Sequence, residues 1–238
     1  MGNTCEIGSK WNAMGLLFLA VLSACAGPAV ADDPASPTNP PAGTVAATLP
    51  TDTPTADESA GFVSFRFDPS ATEARFVIGE ILGGSPNTVI GVNDQVSGEI
   101  RISASNPSAS QIGTIEIGAA NFVTDSALRN RAINQFVLQS GIYPLITFTP
   151  TSIRGIPGEV GPGAVLTLQI GGDLTIRQVT QVVNFEATIT IISESEIQGN
   201  AGATISRSDF ELLIPSVPRV AGVDEQIVLE LDFVARSE

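Results

Sequence analysis

The sequence predicts an all-β body: an antiparallel sheet of eight or nine strands with one short helix. Three observations carry that prediction. Apolar residues recur at every second position in the runs that follow Phe62. Clusters of Gly, Pro and Asn interrupt those runs, and the last long runs alternate cleanly to the end of the chain. Period two marks strands with one apolar face. Alternation that persists to the last strand suits a closed sheet, which has no loose edge.

In chain order, residues 1–24 read as a signal peptide of the lipoprotein type. The apolar run at residues 14–22 (MGLLFLAVL) is too short to span a bilayer and suits a signal-peptide core. Leu22-Ser23-Ala24-Cys25 follows it as a lipobox, which makes Cys25 the site of acylation and of membrane attachment. The alternative is ordinary cleavage after Ala29-Val30-Ala31. Either route exports the chain; the first leaves it lipid-anchored, facing the periplasm or the outside of a bacterium. Residues 25–61 are rich in Pro, Thr and Ala and have no periodicity. They read as a disordered tether that reaches up to ~100 Å at roughly 3 Å per residue.

Residues 62–238 form the third segment, a single β domain. Phe65 and Phe67 alternate with Ser64, Arg66 and Asp68, and Phe76 and Ile78 continue the pattern. Ile100 and Ile102 flank Arg101, and Ile115 and Ile117 flank Glu116. Val183, Phe185, Ala187, Ile189 and Ile191 share one face, as do Ile227, Leu229, Leu231, Phe233 and Ala235. Breaks are expected at Gly83 to Asn87, Asn106-Pro107, Gly155 to Gly163, Gly171-Gly172-Asp173, Gly199-Asn200 and Pro215 to Pro218. Residues 125–136 depart from period two. Leu128, Ala132 and Phe136 stand at i, i+4 and i+8, and Asp125 or Ser126 can cap a helix there.

Composition excludes several classes of function. Of the 238 residues 43% are apolar and 15% charged, enough apolar material for a core. There is no His, so Ser–His–Asp triads and His-ligated metals are impossible. The one Lys, Lys10, lies in the leader, which removes Schiff-base and P-loop chemistry from the mature chain. A net charge of −14 repels nucleic acid and anionic lipid headgroups. Cys5 and Cys25 provide no disulfide framework for the domain.

Candidate chemistry is correspondingly thin. Glu116, Glu186, Glu230 and Asp232 fall on outward positions, where solvated strand faces explain them better than paired glycosidase acids. Ser152, Ser206 and Ser208 lack a basic partner. Asn93-Asp94-Gln95 and Asp224-Glu225 lack EF-hand spacing, and Gly171-Gly172-Asp173 reads as a turn with no helix behind it. Phe148, Phe185 and Phe233 recur on inward faces, where they either fill a core or line a cavity. Arg129, Arg131 and Arg177 either pair with surface charges or stand at a barrel mouth near a ligand's polar head.

Four stretches together resemble the YceI-like family of lipid- and polyisoprenoid-binding proteins. Phe65-Arg66-Phe67-Asp68 through Ile78 is similar to the family's opening strands. Arg129-Asn130-Arg131-Ala132-Ile133, running to Tyr143-Pro144-Leu145-Ile146-Thr147-Phe148, resembles its R-D-x-x-L and Y-P-x-I-T-F elements. Gly172-Asp173-Leu174-Thr175-Ile176-Arg177-Gln178-Val179-Thr180 is similar to G-D-L-T-I-R-G-V-T, and Arg207-Ser208-Asp209-Phe210 to R-x-D-F-G. Departures are Asn130 for the acid, Gln178 and Glu211 for glycines, and a loop-like insertion from Gly83 to Asn93. The resemblance covers residues 62–236. It implies an extended antiparallel, lipocalin-like barrel of eight strands whose interior holds an isoprenoid chain. An eight-stranded barrel is wide enough for one slender ligand.

The function so implied is non-catalytic binding, storage or transport of a long-chain isoprenoid or related amphiphile in the cell envelope. The alternative is an envelope interaction module with a filled barrel. No catalytic residue, metal or cofactor is expected beyond a bound isoprenoid lipid or quinone. The expected ligand-lining residues, taken from the inward faces, are Phe67, Phe76, Ile78, Ile102, Ile117, Phe148, Ile176, Phe185, Phe210 and Phe233.

Overall fold

The structure, a computed structural model, describes residues 61–237. The leader, Cys25 and the tether lie outside the described residues. Thirteen strand segments form one antiparallel sheet. They are β1 (Phe62–Phe67), β2 (Glu73–Leu82), β3 (Ser85–Asn93), β4 (Val96–Ser97), β5 (Glu99–Ser103), β6 (Gln111–Ile112), β7 (Ile115–Gly118), β8 (Leu145–Arg154), β9 (Val165–Ile176), β10 (Val179–Ile191), β11 (Glu196–Ser206), β12 (Val220–Val223) and β13 (Gln226–Ser237).

The segments merge into eight staves. β1 and β2 lie end to end along β13, with Phe67 opposite Ala235 and Glu73 opposite Asp232. β3, β4 and β5 form the second stave, with β3 along β2 and β5 along β1. β6 and β7 form the third, along β5 and β4. β8, β9, β10 and β11 each make one stave, and β12 with β13 makes the eighth. The eighth pairs with the first, so the sheet closes into the eight-stranded barrel that the resemblance implies.

Three expected breaks are corrected. Gly83 to Asn93 is no loop: a turn at Gly83-Gly84, both with positive φ, leads at once into β3, whose Thr88, Val89, Ile90 and Val92 favour a strand. Gly171-Gly172-Asp173 lies inside β9 and Gly199-Asn200 inside β11. These glycines serve close packing. A Cβ on Gly172 would stand 2.5 Å from the Thr149 carbonyl oxygen, beside a bulge between Pro150 and Ser152 of β8.

The up-and-down order sorts the connections between two ends. One end holds the chain's entry at Phe62 and the β5–β6, β8–β9 and β10–β11 links. The other holds the β2–β3 and β9–β10 turns, the β11–β12 link and the long β7–β8 link. The long link carries α1 (Ala127–Ala132) and a π-helical turn, Ile133–Val137. Ser126 caps α1 by accepting from the Arg129 N–H. The stripe that signals this helix does not bury it, since Leu128 is 75% and Phe136 56% exposed. Leu138 is the buried residue of the segment, with Ile133 and Val137 packed against the core. The π turn shifts the apolar face by a residue, which spacing counted at 3.6 does not anticipate.

Candidate functional site: an apolar lumen

Alternation along the staves turns one face of every strand into the barrel. Ala74, Ile78, Val183, Ala187, Ile189, Leu231, Phe233 and Ala235 are all buried. The interior is nevertheless not filled. A cavity of about 110 Å³, partly open to solvent, runs through it. A smaller one of about 40 Å³ lies towards the Phe62 end and shares Ile100, Ile112 and Ile189 with the first. On β9 the lining of the two runs from Leu166 to Ile176. That is roughly 33 Å along the strand at ~3.3 Å per residue. The lined space is long and narrow.

Seven of the ten residues expected from the sequence line the main cavity: Phe67, Phe76, Ile117, Phe148, Ile176, Phe185 and Phe233. Ile102 lines the smaller cavity. Ile78 is buried outside either lining, nearer the α1 end of β2. Phe210 is 1% exposed and also outside; it plugs the link that follows β11 as part of the turn Arg207–Phe210. Alternation alone adds Ile170 and Leu174 on the face of Ile176, and Ile146 on the face of Phe148. Phe122 also lines the cavity, but it comes from the long link and has no strand periodicity to reveal it.

The lining is aromatic in pairs. Phe67 stacks on Phe233 with ring centroids 4.9 Å apart, Phe148 meets Phe185 edge-on at 4.8 Å, and Phe76 meets Phe122 at 5.4 Å. Arg75 and Glu230 are the charged residues that reach the lining, and they bond each other at 3.1 Å. Arg75 also donates to Glu73 at 2.9 Å and to Asp232. These partners, led by Glu230, raise its already high pKa. The barrel therefore offers a long chain apolar contact and no free charge along its length.

Polar groups gather at the α1 end. The Glu80 carboxylate is buried, and Oε1 accepts from Asn87 Nδ2 at 2.9 Å and from Arg129 Nη2 at 2.8 Å. Arg129 also bonds Asp125. Asn130 Oδ1 accepts from the Thr124 N–H at 2.8 Å and from its hydroxyl at 2.7 Å. Arg177, in the β9–β10 turn, donates through Nη1 to the carbonyls of Val137 at 3.2 Å and Glu211 at 3.3 Å. One arginine thus pins the π turn and the Arg207–Phe210 turn over the barrel. Its buried Nε has no hydrogen-bond partner among the described residues. Glu225 accepts the Ser208 N–H at 2.7 Å and faces Arg207. The Ser208 bonds are the main reason that its carboxyl titrates below the usual range.

A closed, eight-stave meander around a long apolar lumen defines a lipocalin-like barrel. The YceI-like domain model matches residues 65–235, and the chain belongs to that family. A search of curated proteins finds no match. Among solved structures, a polyisoprenoid-binding domain from Saccharophagus degradans, implicated in plant cell wall breakdown, superposes with a TM-score of 0.59 at 14% identity. That alignment covers 74% of this chain and 99% of the other. BcnA from Burkholderia cenocepacia superposes with a TM-score of 0.56 at 16% identity, covering 71% of this chain and 98% of BcnA. At such identities the likeness is one of fold.

Proposed function

We propose that this protein is a non-catalytic binder of a long-chain isoprenoid or related amphiphilic lipid, which it stores or carries in the bacterial cell envelope. The observation that supports this reading is the open, almost wholly apolar lumen in a barrel small enough for side chains to fill. A prenyl or acyl chain entering it leaves water at ~0.8 kcal/mol per CH₂. Five isoprene units offer more than 10 kcal/mol gross, and ordering costs of several kcal/mol leave micromolar or better affinity. No bond is made or broken. Family membership and the polyisoprenoid-binding neighbour of the same fold point the same way. The lipobox at Cys25 supports a lipid-anchored location, and the acidic tether would stand the domain off the surface.

The test is native mass spectrometry of the chain purified without detergent from a bacterial host, followed by organic extraction. A discrete added mass that extracts as an isoprenoid is expected. A bare mass, unchanged after incubation with quinones and polyprenyl lipids, overturns the reading in favour of a protein-docking module. Mass spectrometry of the chain extracted with detergent from the membrane fraction of the same host reads the anchor: acyl chains on Cys25 are expected, and a start at Asp32 refutes them.

A further inference from the structure

An eight-stranded barrel has an interior just wide enough for its own side chains. Whether it is solid or hollow therefore turns on where a few large side chains lie. Here the largest are phenylalanines, and four of those lining the cavity lie over glycines of neighbouring strands. Phe76 stands directly opposite Gly91 across the β2–β3 ladder, and Phe233 directly opposite Gly199 across β13 and β11. Phe67 lies over Gly98 and Phe148 over Gly172.

The contacts leave no room for a methyl group. A Cβ on Gly91 would stand 2.0 Å from Cε1 of Phe76, and one on Gly199 would stand 2.6 Å from Cζ of Phe233. The corresponding distance from Gly98 to Cε2 of Phe67 is 2.8 Å; at Gly172 it is also 2.8 Å to Cζ of Phe148, but the Thr149 carbonyl oxygen at 2.5 Å already requires glycine there. These separations are far inside the ~3.5–4.0 Å of carbon contact. Each of the three aromatic pairs in the lumen has at least one member seated in this way.

We propose that Gly91, Gly98 and Gly199 set the bore of the cavity and so restrict the ligand to a slender chain. Each glycine is a recess in the wall. The ring reclines into it and covers the strand backbone instead of reaching across the lumen. A side chain at the recess would lift the ring off the wall and into the path of the ligand. Glycine within a strand is otherwise a weakness, and covering it with a neighbouring aromatic ring compensates for that. At Gly91 and Gly98 the three nearest atoms all belong to the ring, so the ring and not the neighbouring backbone is what excludes a side chain there.

This inference rests on the lipid-binding reading, and the experiment separates the two. Gly91→Ala and Gly199→Ala are made singly in the full chain, and again with Phe76→Leu and Phe233→Leu respectively. Uptake of the apolar dye N-phenyl-1-naphthylamine and thermal unfolding are measured for all. Each alanine variant is expected to bind the dye at least tenfold more weakly than the wild type. Each double variant should return to within about threefold, because leucine needs no recess. Alanine variants that bind like the wild type overturn the inference, as do double variants that stay as weak as the singles. If an alanine variant fails to fold, rescue of folding by the paired leucine supports it and failure of rescue overturns it. If the wild type takes up no dye, the binding reading is the one that fails. Crystal structures of the wild type and of Gly91→Ala then decide the bore: the Phe76 ring displaced into the lumen supports the inference, and a ring left against the wall overturns it.

Discussion

Glu211 and Arg177 are two of the four described non-glycine residues with left-handed backbone at the covered end, with φ of +52 and +58. Their roles differ. Arg177 uses its side chain to bond two carbonyls, so its backbone strain is offset by what the guanidinium holds. Glu211 contributes through its backbone: its N–H donates to Ser208 and its carbonyl accepts from Arg177. Nothing in its side chain compensates for the left-handed turn, and the family pattern has glycine there. The variant Glu211→Gly keeps both backbone bonds and relieves a conformation that costs a non-glycine residue about 1–2 kcal/mol. Part of that gain is lost to the greater freedom of glycine in the unfolded chain. A net stabilisation of about 0.5–1 kcal/mol is expected in urea unfolding; a destabilised variant would show that the carboxylate does structural work.

At the scale of the element, α1 is held by charge more than by its apolar stripe. Arg129 reaches into the barrel to the buried Glu80, whereas its neighbour Leu128 points into solvent. Removing Arg129 leaves a buried carboxylate with only Asn87 for company, and breaking a buried pair from one side costs about 3 kcal/mol or more. Leu128→Ser should change stability by less than about 0.5 kcal/mol. Equal losses from Arg129→Ala and Leu128→Ser would refute this account of how the helix is held. The same contrast shows what the sequence makes legible. The existence and place of the helix could be read from i, i+4 spacing and a Ser126 cap, but its buried side could not. The π turn resets the face, and Glu80 lies 49 residues away. Strands were legible wherever Ile, Val and Phe alternate, as in β10 and β13. They are misread at the glycines of the β2–β3 turn, β9 and β11, because glycine for a turn and glycine for close approach look alike until the facing atoms are known. Alternation turns Phe185 and Phe233 inward, and both line the cavity. It carried no information on Phe122, and it could not tell that Phe210 plugs the end and stays out of the lumen.

For the whole molecule, a hollow barrel has a thermodynamic consequence that a packed one lacks. Its core is a closed sheet with a strip of unfilled space along the axis, so the apolar contacts that a solid interior would supply are missing from the protein alone. A ligand chain in the lumen would complete them. Binding to the folded state only should therefore stabilise the domain by RT ln(1 + [L]/Kd), about 2.7 kcal/mol at a hundredfold excess over Kd. For a domain of this size each kcal/mol moves Tm by roughly 2–4 °C. Lipid extracted from the purified protein should thus lower Tm by about 5–10 °C, and adding back the extracted lipid should restore it. Extraction of the Gly199→Ala variant should lower Tm by a smaller step, since a ring displaced into the lumen occupies part of the ligand's place. A wild-type Tm that does not respond to extraction, in protein shown by mass to have lost a bound lipid, would mean that the chain lies on the barrel and not within it.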